Sequence, residues 1–136
     1  MIKNEREYKI TKASLSKFET ALKHIAMLQK KGTGDPKKLK LQEAAAKSML
    51  KELNEQLEEY EQIKQGRFEL SAFDTVETLP TNLVKARIAL GWTQKDLAKK
   101  LGTTEQQIQK YESTEYESAS LRRISEIVSV LKAASI

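Results

Sequence analysis

Apolar residues along the first half of the chain recur every three or four positions. Leu15, Phe18, Leu22 and Ile25 form one such series, the spacing of a helix with a single buried stripe. The pattern becomes helical from Ile10, with Thr11 or Ser14 placed to cap it, and Met1 to Lys9 reads as a polar, poorly anchored start. The stripe stops at KKGTGDP, where Gly32, Gly34 and Asp35-Pro36 break the helix and the proline suits the first turn of the next. A second helix is predicted from about Pro36 to Gln65, rich in strong helix formers, with Leu39, Ala46, Met49, Leu50, Leu53, Leu57, Tyr60 and Ile63 on its stripe. Two helices joined by a short turn lie antiparallel, yet one narrow hairpin buries little surface against the entropy it gives up. The hairpin therefore calls for a partner. A second copy would give a four-helix dimerisation module; a different protein or the chain's own C-terminal part are the other occupants.

Beyond Gly66 the period changes. Phe68, Leu70 and Ala72 alternate with Arg67, Glu69 and Ser71, which predicts a short extended segment over 67–73 or a linker. Thr78-Leu79-Pro80 then opens a helix with Leu83, Val84, Ile88 and Leu90 inward, closed by Gly91. From Trp92 to Tyr111 the chain reads WTQKDLAKKLGTTEQQIQKY, two short amphipathic segments, each opened by a threonine able to cap it. Leu97, Ala98 and Leu101 face inward on the first, Gly102 ends it, and Thr103 or Thr104 starts the second, about Glu105 to Ser113. Ile108 and Tyr111 are its buried positions, while Glu105, Gln106, Gln107, Gln109 and Lys110 look outward. A last helix, Ser120 to Lys132, is expected to bury Leu121, Ile124, Ile127, Val128 and Leu131. Trp92, the single tryptophan, reads as a packing residue between the first two of these helices.

Composition narrows the chemistry. Among 136 residues, 32% are charged, 6% are aromatic and none is cysteine, so disulfides and thiolate metal sites are excluded and a reducing cytoplasm is the expected setting. No apolar run approaches membrane-spanning length, and the charged N-terminus lacks the apolar stretch of a signal peptide. The formal net charge of +5 favours an acidic partner. Residues 1–66 hold 14 basic and 10 acidic side chains and residues 67–136 hold 10 and 9, so any attraction of an acidic partner by the second half must rest on placed lysines, Lys95, Lys99, Lys100 and Lys110, instead of a general field. His24 is the only histidine and has no ligand set around it. The acidic run Leu57 to Gln62 reads as a solvated helix face, and Gly32 to Gly34 as a turn without the spacing of a phosphate loop. No nucleophile, metal set or cofactor loop is visible, and the chain is expected to be non-enzymatic and free of cofactors.

The stretch from Trp92 to Tyr111, with ARIALGWTQ before it and SLRRISEIVSVL after it, resembles the phage-repressor (Cro-like, xenobiotic-response-element) family of helix-turn-helix DNA-binding domains. The resemblance runs from about Leu83 to Glu112 and more loosely to Leu131. It implies an all-α fold: a repressor-like domain of four or five helices over 80–136, preceded by the hairpin (1–66) and a linker (67–79). It further implies a regulator, normally a repressor, that binds double-stranded DNA as a homodimer on a palindromic operator, with an antitoxin as one branch. In that family the glutamine opening the second helix holds a phosphate and braces the third, and Gln94 takes that position between Thr93 and Lys95. Base reading falls on Glu105, Gln106, Gln107 and Lys110, with Thr104 touching a phosphate or a thymine methyl. Glutamine presents a donor and an acceptor side by side, the pairing that suits adenine, and Gln106 is the leading candidate for it. Glu105 either accepts from cytosine or stabilises the helix N-terminus. Arg87 and Glu112 fall on the family's structural ion pair. STEYESAS departs from the family turn: Glu115 and Glu117 oppose phosphate, so either the loop turns away or Tyr116 and the serines make contact while Arg122 and Arg123 compensate.

Overall fold

The structure, a computed structural model, describes residues 1–66 and 75–135, and those residues form six α-helices and no strand. They are α1 (Glu5–Lys31), α2 (Pro36–Lys64), α3 (Leu79–Ala89), α4 (Gln94–Leu101), α5 (Glu105–Ser113) and α6 (Leu121–Ala134). The all-α class is the expected one; the extended segment expected over 67–73 lies outside the described residues. The chain divides into two compact units, Met1–Tyr60 and Glu61–Ile136.

In the first unit α1 begins five residues before the expected Ile10, and the N-terminus is anchored after all. Asn4 is the cap: its side chain accepts from the Glu7 amide at 2.8 Å, while the Glu7 carboxylate accepts from the Lys3 amide at 2.6 Å, so two amides that a helix start leaves unpaired are satisfied reciprocally. Ile2 is buried, and the Tyr8 ring lies 5.1 Å from that of Tyr60. The Tyr60 contact comes from the far end of α2 and is not visible in the local pattern. α1 ends at Gly32, whose left-handed φ of 67° lets the Gly32 amide donate to Gln29 O and the Thr33 amide to Leu28 O, closing the helix without side-chain help. The two helices run antiparallel. Gln29 Nε2 donates to Glu43 at 2.8 Å near the turn, and Tyr60 Oη donates to Glu5 at 3.2 Å at the open end.

The apolar seam between them is thin. Ile25, Leu39, Ala46, Leu57 and Tyr60 are buried, whereas Leu15, Phe18, Leu22, Leu28, Leu50 and Leu53 stay half-exposed. Met49, expected on the buried stripe, is 38% exposed. It lies about 60° round the helix from the stripe's centre at Ala46, the rotation that three residues at about 100° each produce.

The second unit has a denser core. Leu83, Val84, Ala86 and Ile88 of α3, Leu97 and Ala98 of α4, Ile108 and Tyr111 of α5, and Ile127 and Leu131 of α6 are buried together with Tyr116. α4 packs against α5, and α6 packs against α3 and α4. Some expectations need correction here. Leu90, Leu101, Ile124 and Val128 are half-buried instead of enclosed, and Leu90 serves as the C-cap of α3. Leu121 is 83% exposed: Ser120 caps α6 by accepting from the Arg123 amide at 3.1 Å, which makes Leu121 the first helical residue, about 120° round from Ile127 and at the helix end.

Candidate nucleic-acid interface

The α4–α5 corner is set by local chemistry that the sequence supplies. Thr93 Oγ1 accepts from the Asp96 amide at 3.0 Å and the Asp96 carboxylate accepts from the Thr93 amide at 2.9 Å, a capping box that satisfies the first and last of the four amides from Thr93 to Asp96. These bonds to Thr93, its amide first and its hydroxyl second, hold the Asp96 carboxyl below its ordinary value, since both favour the charged form. α4 stops at Gly102 with a left-handed φ of 69°. The Thr103 amide reaches back to Ala98 O at 3.0 Å, and Thr104 then caps α5 by accepting from the Gln107 amide at 3.2 Å. Two caps and one glycine therefore fix where each helix begins and ends.

The angle between them is held by a buried polar cluster. Arg87 and Glu112, 2% and 1% exposed, meet in a two-pronged pair: Nε donates to Oε2 at 2.8 Å and Nη2 to Oε1 at 2.9 Å. The remaining arm, Nη1, donates to Trp92 O at 2.8 Å, and Gln94 Nε2 donates to Glu112 Oε1 at 3.0 Å. α3, the α3–α4 turn, α4 and α5 are thus joined through one carboxylate. A planar guanidinium pairing with a carboxylate imposes direction as well as attraction, and in a dry setting a misplaced partner leaves a charge unpaired, so the cluster selects one orientation of α5. Trp92, half-buried beside it, carries the Lys100 ammonium 5.5 Å from its ring centre.

α5 turns its buried side, Ile108, Tyr111 and Glu112, onto this scaffold. The opposite side presents Gln106, Gln109, Lys110 and Ser113, all exposed and spaced at i, i+3, i+4 and i+7. Of the residues expected to touch DNA, the structure brings Gln106 and Lys110 together on this row, with exposed Glu105 and capping Thr104 at its start; Gln107 is half-buried beside it. Gln109 and Ser113, not among the expected site residues, share the row, and the helical spacing from Gln106 was the signal for them. At the start of α4, Thr93 and Lys95 are exposed and Gln94 is buried.

The α5–α6 loop turns inward. Glu115 and Tyr116 both adopt left-handed backbone, φ 53° and 63°, a conformation that side chains other than glycine take at a cost. It drives the Tyr116 ring under the loop, stacked 5.9 Å from Tyr111, with the Tyr116 amide donating to Tyr111 O at 2.7 Å. Tyr116 is 3% exposed and its hydroxyl meets no hydrogen-bond partner; burial raises its pKa. The alternative in which Tyr116 reaches DNA is therefore overturned. Arg123 pairs with Glu126 at 3.0 Å and Arg122 lies 3.8 Å from the same residue, so neither is aimed at the exposed Glu115 and Glu117.

The geometry has its counterpart among known families. Residues 83–134 match the helix-turn-helix family model, so the C-terminal part carries a helix-turn-helix of the phage-repressor type. That match supports a DNA-binding regulator of transcription in general terms. Searches of curated proteins and of solved structures return no match. Among the described residues, no group of His, Cys, Asp and Glu is placed to hold a metal ion, and no helix is long and apolar enough to cross a membrane.

Proposed function

We propose that this chain is a sequence-specific repressor that binds a palindromic operator as a dimer, reading bases with α5. One observation carries the reading: a row of exposed hydrogen-bonding side chains, Gln106, Gln109 and Lys110, lies on a helix whose opposite side is held at Glu112 by Arg87 and Gln94, with Arg87 itself fixed by Trp92 O. A reading head must be rigid if a one-base error is to cost anything, and a row with both donors and acceptors matches the major-groove edge. Gln106 pairs with an adenine, and Lys110 with a guanine or a phosphate. The first turn of α4, opened by Thr93 and Gln94 with Lys95 beside them, takes a phosphate on its positive end. Thr104 and Gln107 flank the row, and Glu105 stabilises the N-terminus of α5 or accepts from a cytosine.

The test is fluorescence anisotropy of the full chain against the duplex immediately upstream of its own coding sequence, beside a scrambled duplex, over a salt series. Preference for the native duplex near physiological salt, lost by roughly 5- to 150-fold on Gln106→Ala or Lys110→Ala, is expected from about 1–3 kcal/mol per base contact. Equal and steeply salt-dependent binding to both duplexes would sink specific reading of this site. Binding to neither would shift the function to a protein partner, such as a toxin, held by the hairpin.

A further inference from the structure

The charge of this chain is not spread over it. Residues 23–40 hold six lysines, Lys23, Lys30, Lys31, Lys37, Lys38 and Lys40, against Asp35 alone; their net charge equals the +5 of the whole chain, and everything else balances to zero. The far half of α2 within the first unit is acidic, with Glu52, Glu55, Glu58 and Glu59 against Lys51. α2 therefore has lysines and no acid in its first turn and glutamates toward its C-terminus, the reverse of what the helix dipole favours at each end. Within one hairpin the acidic end faces the basic start of α1, with Arg6, Lys9 and Lys12, whereas the basic turn, with Lys30 and Lys31 beside Lys37 and Lys38, has no acidic counterpart of similar size. A second hairpin laid antiparallel on it would place basic end on acidic end twice.

The surface of α2 has the symmetry such a pairing needs. Lys38, Leu41, Ala45, Met49 and Glu52 fall within about 40° either side of one line along the helix at about 100° per residue, and all five are exposed. Leu41 and Met49 are among the chain's exposed large apolar side chains, at 73% and 38%. Counted from Ala45, they stand four residues to either side, and Lys38 and Glu52 seven to either side. A two-fold axis through Ala45 thus sets Leu41 on the second copy's Met49 and Lys38 on its Glu52, with the two small Ala45 side chains allowing close approach. Beside this seam an apolar groove of about 410 Å³, lined by Phe18, Ala21, Ile25, Ala45, Ala46 and Met49 among others, gives Leu41 of the second copy a place to enter.

We propose that the Lys38–Leu41–Ala45–Met49–Glu52 face of α2 is a homodimer interface in which two hairpins pack antiparallel about Ala45. It rests on the dimeric reading above and specifies where and in which direction the copies meet. An isologous contact of this kind explains both apolar residues left in water and the reversed charge order with one operation.

The chain has no cysteine, so a single introduced one reports its own symmetry mate. Full-length Ala45→Cys is expected to oxidise to a covalent dimer, because antiparallel helices in contact at alanine bring the two Cα atoms within the about 4.4–6.8 Å a disulfide spans. Asn54→Cys, half a turn round the same helix and also exposed, is the control and should stay monomeric under the same oxidation. Sedimentation in the absence of DNA gives the second readout. Lys38→Glu and Glu52→Lys should each weaken association by tenfold or more, and the two together should restore it, with helicity by circular dichroism unchanged throughout. A dimer that forms while Ala45→Cys fails to cross-link, or in which the charge exchange gives no recovery, overturns this interface and leaves dimeric operator binding standing. A chain that is monomeric at every concentration overturns both.

Discussion

The two halves of this molecule bury their apolar residues to very different extents. The helix-turn-helix unit puts Leu83, Leu97, Ile108, Ile127 and Leu131 at 1% exposure or less using helices of 8 to 14 residues. The hairpin uses helices of 27 and 29 residues and still leaves Leu15, Phe18 and Leu22 half-exposed and Leu41 and Met49 in water. Several short helices crossing one another enclose a volume, whereas two parallel rods share only a line. The first arrangement completes its own core and can therefore hold a buried charge pair in register. The second arrangement keeps its stability open to association.

The sharpest way to break that contrast is at the buried pair. Glu112→Ala should destabilise the C-terminal unit by about 3–5 kcal/mol, because the Arg87 guanidinium is left buried without its carboxylate. Urea unfolding followed by Trp92 fluorescence measures it, and a loss below about 1 kcal/mol would show that the cluster is not dry. Replacing both, Arg87→Met with Glu112→Leu, should cost far less stability while blunting sequence preference on DNA, since directional bonds are exchanged for non-directional contact.

Core truncation separates the two units next. Leu97→Ala, at a fully buried position, should cost about 2–5 kcal/mol in the Trp92 transition. Met49→Ala, at a position 38% exposed, should cost the monomer about 1 kcal/mol or less, yet lower the concentration dependence of the circular-dichroism midpoint, because association covers the part of the side chain left exposed. Equal costs at both sites would erase the distinction between a closed and an open core.

Tyr116→Phe sharpens the comparison inside the closed unit. Its hydroxyl is buried without a partner, so removing it should be neutral or raise stability by about 1 kcal/mol; a clear loss would mean that the hydroxyl is satisfied in solution. A local test lies at the start of α4. Thr93→Ala should cost about 1 kcal/mol at neutral pH. Asp96 has a folded-state pKa held below its ordinary 3.8, so its contribution is present above that value and is lost as pH falls through the lower folded-state pKa. Wild type and Thr93→Ala should therefore converge in stability as the pH drops below about 4, the ordinary range for an aspartate.

Much of the C-terminal unit could be read in the chain because its signals are local. Thr93, Gly102, Thr104 and Ser120 mark helix ends by chemistry confined to four or five residues, and Leu97, Ala98 and Ile108 follow the helical period. Where signals crossed between elements, reading failed. The start of α1 at Glu5 depends on Tyr60 and on Ile2 being covered, contacts about 55 residues apart in the case of Glu5 and Tyr60. Leu121 has the right residue type for a core and the wrong rotation for one. Tyr116 is an aromatic residue in an acidic, polar loop, and only two consecutive left-handed residues turn it inward.

The sequence by itself determined that the chain is helical, the caps at Thr93, Thr104 and Ser120 and the outward side of α5 that carries Gln106 and Lys110, since period and capping act over a single turn of chain. Only the tertiary structure decided which apolar residues are enclosed, how Arg87 and Gln94 converge on Glu112 while Arg87 also reaches Trp92 O, and that Leu41 and Met49 keep exposed surface. Enclosure is a property of several helices at once: a side chain is buried by what comes to lie against it, and the chain's local pattern says which face it offers without saying whether another element arrives.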